Sequence, residues 1–296
     1  MEGGGVVAKA YQVMNSGFFD YRNSFADVPM MFTIVGVIVF VVNSLAFLPE
    51  SYELISNRTN YGLSSLFIFG NSIGQFLLII NFLCLNYTEF CGIFNHPFKV
   101  SLPSLVTFFS LFGQWFCFLP CVFLTIVLDD REHMEGMTPK ERFRAKLNVI
   151  GLVILNIVCS FALLAIWAIL GHKLEFSDSL IHHFGEFCGL LSSFLEVLQA
   201  IPQIVTTIQI RGNGSLSLLM LEIQGPSALL SALYMALALK ESFTTYLTVL
   251  IEGTSQLTLL TLCLFFKFCK YIQKGQTDYS TMQMTLLKPI DPVLLV

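Results

Sequence analysis

Charge is scarce in this chain. Asp, Glu, Lys and Arg make up 12% of its 296 residues, about half of the roughly 25% carried by soluble globular domains. A conventional water-facing surface is therefore excluded. None of the 8 cysteines falls in a Cys-x-x-Cys pair, so zinc-ribbon and dithiol redox chemistry lack a framework. Most of them lie in apolar runs and read as small apolar residues. Cys84 and Cys91 are the pair placed to meet near a membrane surface. The sequence holds no phosphate-cradling glycine loop, nucleophile elbow or basic nucleic-acid patch. An enzyme, a bound cofactor and a nucleic-acid partner are accordingly not expected. The first 28 residues also lack a secretory signal pattern.

What is present is apolar. Hydrophobic residues make up 55% of the chain, with 29 Phe, and the mean hydropathy is +0.72. Seven runs reach the ~20 residues needed to cross a hydrocarbon core. They are Met30–Pro49, Leu63–Leu85, Leu102–Leu128, Leu147–Leu170, Phe187–Ile210, Ser217–Leu239 and Phe243–Phe266. The first four contain no charged residue, and the last three contain one carboxylate each. The expected class is an all-α integral membrane protein with seven transmembrane helices.

Seven spans place the two ends on opposite sides. Loops on the N-terminal side hold Lys9, Arg22, Lys99, Lys173 and Lys240, and the opposite side holds the other eleven of 16 basic residues. Positive charge stays cytosolic. The N-terminus is thus expected in the lumen and the C-terminal tail in the cytosol.

A short motif is written twice, 153 residues apart. At that offset Pro49 matches Pro202, Arg58 matches Arg211, Asn60 matches Asn213, Leu63 matches Leu216 and Ser64 matches Ser217. Each copy lies between two apolar runs, the mark of a duplicated membrane unit. A three-helix unit starts and ends on opposite sides, so direct fusion would invert the second copy. One linker helix restores parallel orientation. The sequence therefore predicts a 3+1+3 arrangement of two parallel triple-helix repeats. Residues 1–29 form a lumenal segment, 30–128 the first repeat, 129–170 a cytosolic loop and linker helix, 171–268 the second repeat, and 269–296 a cytosolic tail. Thr138-Pro139-Lys140-Glu141 reads as an N-cap, a proline at N1 and a capping-box glutamate, which starts the linker helix near Pro139.

The stretch Leu198-Gln-Ala-Ile-Pro-Gln-Ile-Val-Thr-Thr, followed by Gly214-Ser-Leu-Ser, resembles the second repeat of the PQ-loop superfamily. That group includes lysosomal cystine and cationic amino-acid exporters and is related to SWEET sugar transporters and the KDEL receptor. The resemblance covers about residues 34 to 268. In the first copy Glu50 replaces the glutamine of the Pro-Gln pair. The resemblance implies a small alternating-access carrier in an endomembrane, often proton-coupled.

Proline within a membrane helix frees a carbonyl and kinks the helix, and such breaks persist beside protein, water or a cavity. The matched Pro49 and Pro202 read as paired hinges. A static kink is the alternative for either one alone. Glu196, Glu222 and Glu252 lie within spans that hold no Lys or Arg. A charge at mid-membrane costs about 2.5–3.5 kcal/mol on insertion scales. Each carboxyl must be protonated, meet water or meet a cation. Glu196 and Glu252 are each about nine residues in from the lumenal end, near mid-depth, whereas Glu222 is close to the cytosolic end. Glu196 and Glu252 are therefore the candidates for carrying a coupling proton.

The 153-residue offset also matches Asn43 to Glu196 and Asn71 to Gln224. Gln199 and Gln203 share a face with Glu196, as Ser255 and Gln256 do with Glu252. Asn43, Asn71, Glu196, Gln199, Gln224, Glu252 and Gln256 form a candidate polar lining for a cationic or zwitterionic solute. Interhelical glue is the alternative role for any one amide. His182, His183 and Glu186 supply too few ligands for a metal and read as an interfacial turn.

Tyr279-Ser280-Thr281-Met282 fits a tyrosine-based sorting signal, and Asp291-Pro292-Val293-Leu294-Leu295 resembles an acidic dileucine signal. Both would engage sorting adaptors, which favours an endolysosomal membrane. Two functions stay open. One is a secondary transporter of a small polar solute, with cationic or zwitterionic amino acids ahead of a SWEET-like sugar. The other is a receptor or scaffold of the same fold.

Overall fold

The structure, a computed structural model, describes residues 30–86, 98–128, 138–173 and 179–286, with side chains given within 31–272 except at 32, 98–104, 142, 145, 172 and 173. The N-terminal segment, Cys91, the loop residues 129–137 and the Leu294-Leu295 signal lie outside the described residues, as does the side chain of Tyr279. Every regular element among the described residues is helical. The helices are α1 (Met30–Leu45), α2 (Leu48–Asn57), α3 (Ser65–Leu85), α4 (Phe98–Val127), α5 (Pro139–Lys173), α6 (Ser179–Ile210), α7 (Leu218–Tyr234, continued by a π turn Met235–Leu239) and α8 (Phe243–Leu286). Taking α1 and α2 together, seven helices are long and apolar enough to cross a membrane.

Several ends differ from the sequence expectation. The first run does not stop at Pro49. The helix breaks after Leu45, and α2 carries the chain on to Asn57. The break suits the residue, because Pro49 enters the first turn of α2, where a missing N–H costs nothing. Helix α5 begins at Pro139, as its capping motif predicts, whereas α6 begins eight residues before the expected span and α8 runs to Leu286, through much of the expected tail. Hydropathy marks the hydrocarbon crossing, whereas a helix with satisfied ends continues past it. At the start of α5 the Thr138 N–H donates to Glu141 Oε2 at 2.8 Å and the Glu141 N–H donates to Thr138 Oγ1 at 3.4 Å. This is the reciprocal capping expected from the four-residue motif.

Packing follows the duplication. In the first repeat α4 packs against both α1 and α3, and in the second α8 packs against both α6 and α7. The third helix of each unit thus sits between its first two. The units meet at two matched seams, α3 against α6 and α7 against α1. The linker α5 packs on α3 and α4 from outside. Glycines spaced four apart allow close approach at the α3–α6 seam. A methyl on Gly70 would meet Gln199, one on Gly185 would come within 2.6 Å of Cys84 Cβ, and one on Gly189 within 2.6 Å of Asn81 Nδ2. Small residues at such a seam let helix backbones pack where lipid offers no hydrophobic drive.

The radial order of side chains is the reverse of a soluble protein's. Asn43, Asn71, Gln75, Glu196, Gln199, Gln224, Glu252 and Gln256 are buried, while Ile34, Ile38, Phe161, Phe194, Leu230 and Phe265 are exposed on the outside.

Candidate functional site

The two copies of the motif fold alike. Arg58 and Arg211 close α2 and α6 in the left-handed conformation, at φ 53° and φ 50°. The Leu63 N–H then donates to Asn60 O at 3.0 Å, and the Leu216 N–H to Asn213 O at 2.9 Å. Ser64 and Ser217 follow in extended conformation as N-caps of α3 and α7. The two loops lie against each other. Gly62 and Gly214 have φ of +86° and +56°, and a Cβ added to Gly62 would sit 2.9 Å from Gly214 Cα. Glycine is needed there both for the positive φ and for the close backbone approach.

The residues after the two prolines cross between the repeats. Gln203, from α6, reaches the start of α3: the Ser64 N–H donates to its Oε1 at 2.9 Å, and its Nε2 donates to Gly62 O at 3.0 Å. Glu50, from α2, reaches the start of α7, where the Ser217 N–H donates to its Oε2 at 2.7 Å. Each repeat thus caps the second helix of the other, satisfying a donor that a helix start leaves open. The two sides are not identical. Gln203 makes two bonds, whereas Glu50 is 2% exposed and its Oε1 has no hydrogen-bond partner. The prolines differ as well, since Pro49 opens α2 while Pro202 lies inside α6. The sequence placed Gln203 on the Glu196 face, but its amide serves this clasp.

Deeper in the bundle, Glu196 from α6 and Glu252 from α8 are each 2% exposed. They come from packed helices and flank consecutive residues of α3, Glu196 beside Gly74 and Glu252 beside Gln75. Gln199 Nε2 donates to Glu196 Oε2, and Gln224 Nε2 donates to Glu252 Oε1 at 2.6 Å. Every described Lys and Arg side chain is exposed, so none accompanies the pair into the bundle. The remaining amide acceptors, Gln199 Oε1, Gln224 Oε1 and Gln256 Oε1, are buried without partners. Both polar atoms of Asn71 are also unpartnered.

The structure joins Glu196 to Gln199 and Glu252 to Gln224 by hydrogen bonds, and buries Asn71 on α3 and Gln256 on α8 with polar atoms unpartnered. Asn43 differs. Its Nδ2 donates to Ser231 Oγ and its Oδ1 accepts from Ser227 Oγ, both at 2.6 Å, so it straps α1 to α7. The matched contact on the other seam pairs Glu196 with Gly74, where a Cβ would lie 3.2 Å from Glu196 Oε1. Glycine in place of the matched serine makes room for the longer carboxylate. Ser255 turns back on its own helix, donating to Glu252 O at 2.8 Å. Glu222 is exposed and apart from the pair.

Gln75 belongs to the site and was missed. It lies beside Glu252, with no well-formed hydrogen bond to either amide atom. Its position four residues after Asn71 puts both on one face of α3, which is the signal that could have found it.

The opposite end of the bundle is also tied. Asn81 Nδ2 donates to Gly185 O at 2.8 Å, and Asn81 Oδ1 accepts from Thr245 Oγ1 at 2.6 Å. Asn86 Nδ2 donates to Glu241 Oε2 at 2.5 Å. Near that end His182 and His183 are exposed and pair with Glu186 at 3.7 and 3.5 Å. Among the described residues no group of His, Cys, Asp and Glu is arranged to hold a metal.

Residues 184–243 match the family described as the PQ loop repeat. This segment holds the second copy of the motif, from α6 through α7 to the start of α8. An uncharacterized protein of Schizosaccharomyces pombe is 31% identical over 100 residues, which is 34% of this chain and 32% of that protein. The chain thus spans about a third of the length of the curated relative it matches.

Proposed function

We propose that this chain, a seven-helix membrane protein carrying a PQ-loop repeat in its second half, is a secondary transporter. It moves a small polar solute by alternating access, with a cationic or zwitterionic amino acid favoured, and couples that movement to protons. The observation that carries the reading is the Glu196–Glu252 pair, buried among amides with spare acceptors and no buried base. Such a pair accommodates a proton or an organic cation and disfavours an anion. The clasped loops supply one gate and the ties at Asn81 and Asn86 the other.

The test is uptake by the purified protein in proteoliposomes, using a panel of labelled amino acids and sugars with and without a pH gradient. Accumulation of one amino-acid class that depends on the gradient supports the proposal. Gradient-independent equilibration of a sugar would replace it with a facilitator, and failure of the whole panel would favour a receptor or scaffold.

In the proposed orientation the N-terminus is lumenal, the clasped loops are cytosolic, and the membrane is endolysosomal. Of the sequons at Asn57, Asn86 and Asn213, only Asn86 then meets the glycosylation machinery. Its amide nitrogen already donates to Glu241, so a glycan there requires that tie to open. The expected result is partial occupancy at Asn86 and none at Asn57 or Asn213, read by glycosidase shift and peptide mapping. Glycan at either of the latter two reverses the topology.

A further inference from the structure

We propose that Glu50 is a second proton site, separate from the Glu196–Glu252 pair, and that its protonation closes the clasp at the cytosolic end. The proposal rests on the alternating-access reading for its place in a cycle, but its geometry stands on its own.

Gln203 shows what a complete clasp needs. Its side chain offers one acceptor, taken by the Ser64 N–H, and one donor, given to Gly62 O. A neutral carboxylic acid offers the same pair of functions. A carboxylate offers acceptors only. In the matched position Glu50 accepts from the Ser217 N–H, and its other oxygen is buried and unpartnered. Position 62 matches Ser215 at the 153-residue offset, which makes the Ser215 carbonyl the acceptor we assign to a protonated Glu50.

The surroundings do not favour a charge. Phe47, Leu54, Phe118, Leu216, Met220 and Leu221 pack in the same cluster. On α2 itself Glu53 adds repulsion, and Tyr52 points outward. From α4 the titratable neighbour is Cys121, whose Sγ lies 3.1 Å from Ser51 Oγ. On α7 the acidic group is Glu222, which is exposed. Arg58 and Arg211 on the loops are exposed, and Lys270 of α8 lies beside Gly212. Among the described residues one helix-start N–H is the sole hydrogen-bond partner of Glu50.

Opening the loops admits water to Glu50 and lets it ionise. Closing them returns it to a dry site that has use for a donor. Linkage then gives the sign: the closed clasp gains as pH falls and loses as pH rises.

The experiment needs neither substrate nor gradient. The full chain, with native cysteines replaced, is spin-labelled through Arg58→Cys and Arg211→Cys and placed in lipid nanodiscs. Distances are recorded from about pH 8 to about pH 5. The expected closed-to-open ratio rises about tenfold or more as pH falls. In a Glu196→Gln, Glu252→Gln background, which removes the pair's own contribution, a pH response remains, and adding Glu50→Gln abolishes it and holds the clasp closed. Gln203→Glu, which gives the second repeat the same acid, steepens it. This last variant also decides the matter should Glu50→Gln fail to fold. A flat wild-type response, an unchanged slope on adding Glu50→Gln, or no steepening in Gln203→Glu overturns the proposal. A pH-responsive clasp in a protein that transports nothing would sink the transporter reading alone.

Discussion

Vesicles carrying Glu196→Gln or Glu252→Gln are expected to exchange labelled solute across the membrane yet fail to concentrate it under a pH step. Glutamine keeps the shape and hydrogen bonding of a neutral acid but has no proton to give. The amides that bond these carboxyls, Gln199 and Gln224, can turn to meet it. Folding should therefore survive, since no buried charge is orphaned. A charge buried without a basic partner is costly, and neither Glu196 nor Glu252 has one among the described residues. On the proposed reading the pair exchanges the coupling proton as a unit, so either substitution is expected to break coupling. With one proton per solute, a step of one pH unit sustains about tenfold accumulation, or about 1.4 kcal/mol. Each single variant is expected to fall to a ratio of about one. If both single variants still concentrate solute on a pH step, the pair does not couple.

Loss of the clasp on the other side should be nearly as severe. Gln203→Leu keeps the bulk of the side chain but removes both bonds, leaving the Ser64 N–H and Gly62 O unpaired where the loops meet. A fully buried orphan costs about 1–3 kcal/mol, and these two half-buried groups fall toward the lower end. Water recovers part of this when the loops separate, so the change acts on the closed arrangement. A net shift of about 2 kcal/mol moves the closed-to-open ratio about thirtyfold. Labelling of an engineered cysteine at Ser64 should rise accordingly, and transport that requires closure should slow by at least tenfold. Unchanged labelling would mean that the glutamine is decorative and that the backbone contacts around Gly62 and Gly214 hold the loops together.

The parts of this molecule legible in its sequence are those governed by short-range rules. Apolar run length located the seven helices, because an unsatisfied backbone cannot cross lipid. Thr138 and Glu141 announced the start of α5, because a capping box lies within one turn. The offset of 153 residues disclosed the two loops, and their φ angles agree to within a few degrees at Arg58 and Arg211.

What stayed hidden depends on who faces whom. The offset relates Glu50 to Gln203 but cannot say that each caps the opposite repeat. Hydropathy cannot see the break at Ala46, where the Ala46 N–H is shared between Val42 O and Asn43 O at 3.0 and 3.3 Å. Asn43 and Glu196 occupy matched positions, yet one is tied off by two serines and the other is given room by Gly74. That difference lies in the neighbouring helix, not in the residue itself.

The crossing of the clasps reaches beyond gating. No three-helix unit here finishes its own second helix: Ser64 waits on Gln203, and Ser217 waits on Glu50. Severed from its sibling, either half would present a raw helix start and an unemployed side chain. Two such halves supplied as separate polypeptides already carry the means to recognise one another. The fused chain then works as a dimer made permanent, with its partnership written into the same dipeptides that close the gate.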